Sequence, residues 1–197
     1  MLYYDMHKEV EAFSTNKSDA LDFEVVLPEY QAHSTEVAIM PREADQTYGR
    51  DALITDKPGL RIGIKTADCV PVLLYDPVRK AAAAIHSGWK GTLSNICAAT
   101  VAKMTAEYGT RPADIKAVIG PCIHIEAFEV GDELYSRFAA AGYGIFAKRL
   151  PRFETDHMVK WHLDLPGICG AQLRQLGVRE IETRSLKLIY EPTPLRR

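Results

Sequence analysis

Residues 66–77 read Thr66-Ala67-Asp68-Cys69-Val70-Pro71-Val72-Leu73-Leu74-Tyr75-Asp76-Pro77. The run from Val70 to Leu74 is continuously apolar and is closed by Asp76-Pro77, the pattern of a strand covered on both faces. A second run, Ala81 to Ile85, follows closely, and its small residues permit close packing before Ser87-Gly88 breaks it. The succession is hairpin-like rather than a helical crossover. Upstream, Leu60 to Lys65 alternates with period 2, which predicts a half-buried strand. Phe23 to Leu27 and Val37 to Met40 read as short strands around the turn-like stretch Pro28–Ser34, and Pro41–Arg50 reads as a polar loop. Residues 1–20 carry little pattern and read as a frayed or incomplete start.

Downstream, Thr92 opens a helix whose positions Leu93, Ile96, Cys97, Thr100, Val101 and Met104 follow the 3.6 period, ending near Gly109. Ile115 to Ile119 is another strand, closed by Gly120-Pro121. Gly131 to Ala141 predicts a helix with Leu134 and Phe138 inward. Leu165 to Leu176 predicts a third, with Asp164 as cap, Pro166 in the first turn and Gly177 as stop. Glu180 to Thr183 reads as a last strand. Hairpin-like strands mixed with helices, without strict alternation, predict an α+β fold in one domain over 1–197.

Composition narrows the function. The 197 residues are 47% hydrophobic, enough for a core without disulfide staples. Lys and Arg number 24 against 26 Asp and Glu, a net charge of −2, so no basic footprint points to nucleic acid or an anionic membrane. No apolar run approaches a membrane span, and the charged start MLYYDMHKEV lacks the apolar core of a signal peptide. The expectation is a cytoplasmic protein whose four cysteines, Cys69, Cys97, Cys122 and Cys169, are thiols or ligands. Cys97 and Cys169 lie on apolar helical faces and read as core.

Cys69 and His86 sit at strand ends, where side chains project into a site, and His33 lies in the turn-like Gln31-Ala32-His33-Ser34. A thiolate and two imidazoles suit zinc or copper, and three protein ligands leave a catalytic position open. Spacing does not bring these residues together, and the bland reading of a buried thiol and ordinary histidines stands beside this one. Cys69 with His86 is also compatible with a nucleophile–base pair of a cysteine hydrolase. A closed structural site using Cys122 or His124 is a further alternative. That pair, separated by one residue, also offers an extension of the site or a second ion.

The blocks QAHSTEV (31–37), TADCVPVLLYDP (66–77), HSGWKG (86–91), IGPCIHIEAFEVGDEL (119–134) and HLDLPGICGAQLRQLGV (162–178) together resemble the laccase-domain family. They occur in the family's order over roughly residues 30–178. The family comprises bacterial proteins first labelled multicopper polyphenol oxidases and later zinc-dependent purine nucleoside phosphorylases. The resemblance implies metal ligands at His33, Cys69 and His86, zinc before copper, and a fold of two packed β-sheets flanked by helices (an α/β/β/α sandwich). It implies small-molecule substrates: phosphate with adenosine, inosine or methylthioadenosine, with adenosine deamination and phenol oxidation as further activities.

Asp68, beside Cys69, is a candidate proton shuttle for deamination, or else a structural or ligand-orienting group. Lys90, before a helix start at Thr92, is a candidate phosphate group or a solvated turn residue. Trp89 offers purine stacking or core packing. Two departures stand out: Lys90 replaces the family's usual Arg, losing the guanidinium fork, and the usual aromatic-rich C-terminal block ending in paired arginines is altered or missing. The chain's own final pair, Arg196 and Arg197, is not a substitute for it.

Overall fold

The computed structural model describes residues 1–16, 18–151 and 159–184. The C-terminal block expected to be altered or missing, and His157, fall outside the described residues. A mixed six-stranded sheet organises the chain. Its strands are β3 (Val37–Ile39), β4 (Ala52–Thr55), β5 (Val70–Asp76), β6 (Ala81–Ser87), β7 (Lys116–Ile119) and β11 (Glu180–Thr183), in the order β11-β7-β5-β6-β4-β3. The hairpin β5–β6 is its centre: Val70 pairs with Ser87 and Pro71 with His86, antiparallel. β4 also runs antiparallel to β6, with Ala52 opposite Ile85. β3 joins β4 in parallel, Val37 opposite Ala52.

Alternation along these strands separates two apolar layers. Val70, Val72, Leu74, Ala83 and Ile85 face one side, where α2 (Ile96–Tyr108) and α4 (Leu165–Gln175) bury Ile96, Val101, Met104, Ile168 and Leu173 against them. Leu73, Tyr75, Ala82 and Val118 face the other side, under the hairpin of β1 (Leu2–His7) and β2 (Val10–Ser14), which contributes Tyr4, Met6 and Ala12. A three-stranded sheet of β8 (Glu129–Val130), β9 (Ala147–Pro151) and β10 (Val159–Leu163) packs with α3 (Asp132–Ala140). The α+β expectation of sheets flanked by helices therefore holds, with three sheets of unequal size among the described residues.

Several local expectations change. The stretches Phe23–Leu27 and Leu60–Lys65 are not strands; they meet in one parallel bridge, Val26 to Ile62, and lie over Ala38, Met40 and Leu53. Pro28 and Gly59 end extension on either side, so apolar side chains pack without a ladder. Leu2 to Ser14 form a paired hairpin rather than a frayed start, since alternate Tyr4 and Met6 are buried. The expected helix from Thr92 begins earlier, as α1 (Trp89–Leu93), and breaks at Asn95. Asn95 takes a left-handed φ of 59° and its side chain accepts from the Ala98 N–H, so it ends one helix and caps the next.

Candidate metal centre

The sheet register builds the site. Cys69 immediately precedes β5, His86 lies near the end of β6, and Asp51 immediately precedes β4. The antiparallel pairing of β5 and β4 with β6 therefore brings Cys69, His86 and Asp51 to one end of the sheet. The loop before β3 delivers His33 to the same place. The ligand atoms of His33, Cys69 and His86 all lie within 4.8 Å of one another, so this group can hold a metal ion. His33 Nε2 stands 3.7 Å from Cys69 Sγ, and the two imidazoles meet edge-on with centroids 4.9 Å apart. His86 is buried, Cys69 half-buried and His33 exposed, so the group opens to solvent on one side.

Asp51 is the residue that sequence reasoning missed. Its carboxylate is 0% exposed. Oδ1 accepts from the His33 N–H at 3.0 Å and contacts His86 Nδ1 at 2.7 Å. Oδ2 accepts from the N–H groups of Ala32 at 3.1 Å and Ser34 at 2.7 Å, and from the Ser34 hydroxyl at 2.8 Å. One carboxylate thus folds the His33 turn and orients His86. The turn needs such a clamp, because His33 sits at a φ of +58°, a conformation costing a non-glycine residue about 1–2 kcal/mol. A His86 Nδ1–H donated to Asp51 leaves Nε2 with its lone pair for an ion, as in carboxylate–histidine–metal arrangements. Burial pushes the Asp51 carboxyl up, but the hydrogen bonds from His86 and Ser34 outweigh it and hold it below the usual carboxylate range. Burial pulls His86 down, yet its bonds to Asp51 and Cys69 prevail and raise it to about 9, so an ion binding at Nε2 displaces a proton there.

Gly88 forms the floor. A methyl group there would lie 2.5 Å from His33 Cδ2, 3.1 Å from Cys69 Sγ and 3.3 Å from His33 Nε2. Only a residue without Cβ leaves His33 and Cys69 free to approach each other there. A soft thiolate, two borderline imidazoles and this open cradle fit zinc or copper better than a hard cation.

The other expected residues lie around this group rather than in it. Asp68 is exposed, and its backbone carbonyl accepts from the Ile123 N–H at 2.9 Å. Lys90 lies inside α1, not ahead of a helix start, with Nζ 5.6 Å from the centroid of the half-buried Trp89 ring. Trp89 packs against the main core and also receives Arg137, 5.4 Å away. Cys122 is pushed up to about 12 by burial, and His124 pairs with Glu126. Neither belongs to the three-residue group, the cluster among the described residues that could hold a metal. Cys97 and Cys169 are buried in the core, as expected. No helix among the described residues is long and apolar enough to cross a membrane.

A purine nucleoside phosphorylase of Bacteroides thetaiotaomicron is 38% identical over 164 residues, covering 79% of this chain and 59% of that protein. One from Deinococcus radiodurans is also 38% identical, covering 74% of this chain and 54% of that one. Adenosine deaminase RL5, from an unknown prokaryotic organism, is 37% identical, covering 79% and 61%. The crystal structure of YfiH from Bacillus licheniformis superposes with a TM-score of 0.67 at 29% identity, covering 82% of this chain and 63% of that one. The chain thus spans little more than half the length of the curated relatives it matches first. The sequence model of the family described as multi-copper polyphenol oxidoreductase laccase matches residues 3–192, and the chain belongs to that family.

Proposed function

We propose that this chain is one domain carrying the metal site of a purine nucleoside phosphorylase that acts on adenosine, inosine and methylthioadenosine, with adenosine deamination as a second activity. The observation that carries the reading is the convergence of His33, Cys69 and His86 within 4.8 Å over a glycine floor, in a family whose relatives include proteins named for both activities. In phosphorolysis the C1′–N9 bond breaks, a phosphate oxygen bonds C1′, and the base leaves with a proton. In deamination water replaces the 6-amino group, and ammonia leaves.

His33 Nε2, Cys69 Sγ and His86 Nε2 would hold the ion. When bound, zinc supplies Lewis acidity to substrate or water beside it. Asp51 keeps His86 in the tautomer that presents Nε2 and keeps the His33 turn closed. Lys90, two residues beyond Gly88, would offer a positive charge to phosphate. Asp68, exposed beside Cys69, would carry a proton between solvent and substrate.

A second reading, a copper-dependent polyphenol oxidase, is favoured by the family's description and by a donor set that also suits copper. Against it, reducing dioxygen to water takes four electrons, and the described residues provide one cluster of this kind. The test is adenine release from adenosine with and without phosphate, on protein loaded with zinc or with copper. Phosphate-dependent release with zinc supports the first reading. Phenol turnover with copper and no base release overturns it.

A further inference from the structure

Tyr30 and Tyr48 are 52% and 67% exposed, large rings left in water. They stack on each other with centroids 5.2 Å apart and planes 26° from parallel. A parallel bridge joins their backbones, and the Gly49 N–H donates to the Tyr30 carbonyl at 2.8 Å. The same two segments form the metal-site turn. Tyr30 is three residues before His33, and Tyr48 is three before Asp51. Ser34 Oγ ties them again, through Gly49 O at 2.9 Å and Asp51 Oδ2 at 2.8 Å. Three residues reach at most about 11 Å between Cα atoms, so the Tyr30 backbone stands within about one nucleoside's length of the His33 backbone.

We propose that the Tyr30–Tyr48 pair is the platform on which the planar base of the substrate stacks while its sugar or 6-position reaches the metal site. This deepens, and rests on, the nucleoside reading above. Each ring is already ordered by the other and by the backbone bridge, so a third ring adds to the stack with little ordering cost. Stacking is tolerant of base identity, because every base has a π-face, which fits both adenine and hypoxanthine nucleosides. Neither tyrosine belongs to the ligand group, and both side chains are solvent-facing, so their replacement leaves the core intact.

The test compares zinc-loaded wild-type protein with Tyr48→Ala, Tyr30→Ala and Tyr48→Phe, measuring KM and kcat for adenosine, adenine affinity by calorimetry and zinc content. The expected result is an adenosine KM and an adenine Kd each roughly tenfold higher in the Ala variants, the size of one lost base–aromatic stack. Tyr48→Phe stays near wild type, and kcat and zinc content hold. Unchanged KM and adenine affinity in active Ala variants overturn the platform and leave the nucleoside reading standing. Adenine binding that weakens in the Ala variants, in protein that releases no base, keeps the platform and overturns phosphorolysis. Phenol binding that depends on the tyrosines where adenine does not bind overturns the assignment to a base.

Discussion

Asp51→Asn isolates what the buried carboxylate contributes. The substitution keeps the side chain's size and turns one acceptor oxygen into a donor. An amide NH2 in the Oδ2 position would face the N–H groups of Ala32 and Ser34 and the Ser34 hydroxyl, so it takes the Oδ1 position. There it leaves the His33 N–H without its acceptor, at about 1–3 kcal/mol. It also donates to His86 Nδ1, which moves the imidazole proton to Nε2, the nitrogen needed for an ion. Losing such an outer hydrogen bond typically weakens metal binding about 10–100-fold, or ~1.4–2.8 kcal/mol. The stability loss should lower Tm by about 2–4 °C per kcal/mol in a chain of this size. Zinc competition against a chromophoric chelator reads the first effect, and thermal unfolding of the metal-free protein reads the second. A variant with lower Tm but wild-type zinc affinity would refute the tautomer argument, and wild-type values of both would refute the clamp.

Gly88→Ala should lower zinc affinity more than tenfold, since its methyl meets His33 at 2.5 Å, whereas Gly131→Ala, with nothing within 4 Å, should leave it unchanged; the same chelator competition checks both. Lys90→Ala should raise the phosphate KM while sparing adenosine deamination, and steady-state assays of the two reactions would show equal losses if Lys90 has no phosphate role. Phe138, on α3, is fully buried, so Phe138→Ala should cost about 3–5 kcal/mol in urea unfolding, with zinc stoichiometry retained in the folded fraction. A cost under 1 kcal/mol would mean that α3 is not part of the cooperative core.

The hairpin β5–β6 and helix α4 were legible because their signals are local: a continuous apolar run stopped by Asp76-Pro77, and Asp164 with Pro166 at a helix start. The helix after Gly88 was legible in its apolar face but not in its break, because Asn95's left-handed turn leaves the 3.6 period nearly undisturbed. The first hairpin and β9 were hidden by charged residues on their exposed faces, such as Asp5, Lys148 and Arg149. Val26 and Ile62 show the converse, an apolar alternation spent on packing rather than on a ladder. In the site, the resemblance pointed to His33, Cys69 and His86, but Asp51 was invisible. Its role exists only when residues 32–34, 51 and 86 meet through sheet pairing. The available hint was a lone carboxylate immediately ahead of the apolar Ala52-Leu53-Ile54, where burial would demand partners.

Elemental analysis of wild-type protein beside Cys69→Ala, both purified without added metal or chelator, tests the metal centre most directly. The account predicts about one transition-metal ion per wild-type chain, with less than a tenth of that in the variant. A full equivalent retained by Cys69→Ala would contradict it.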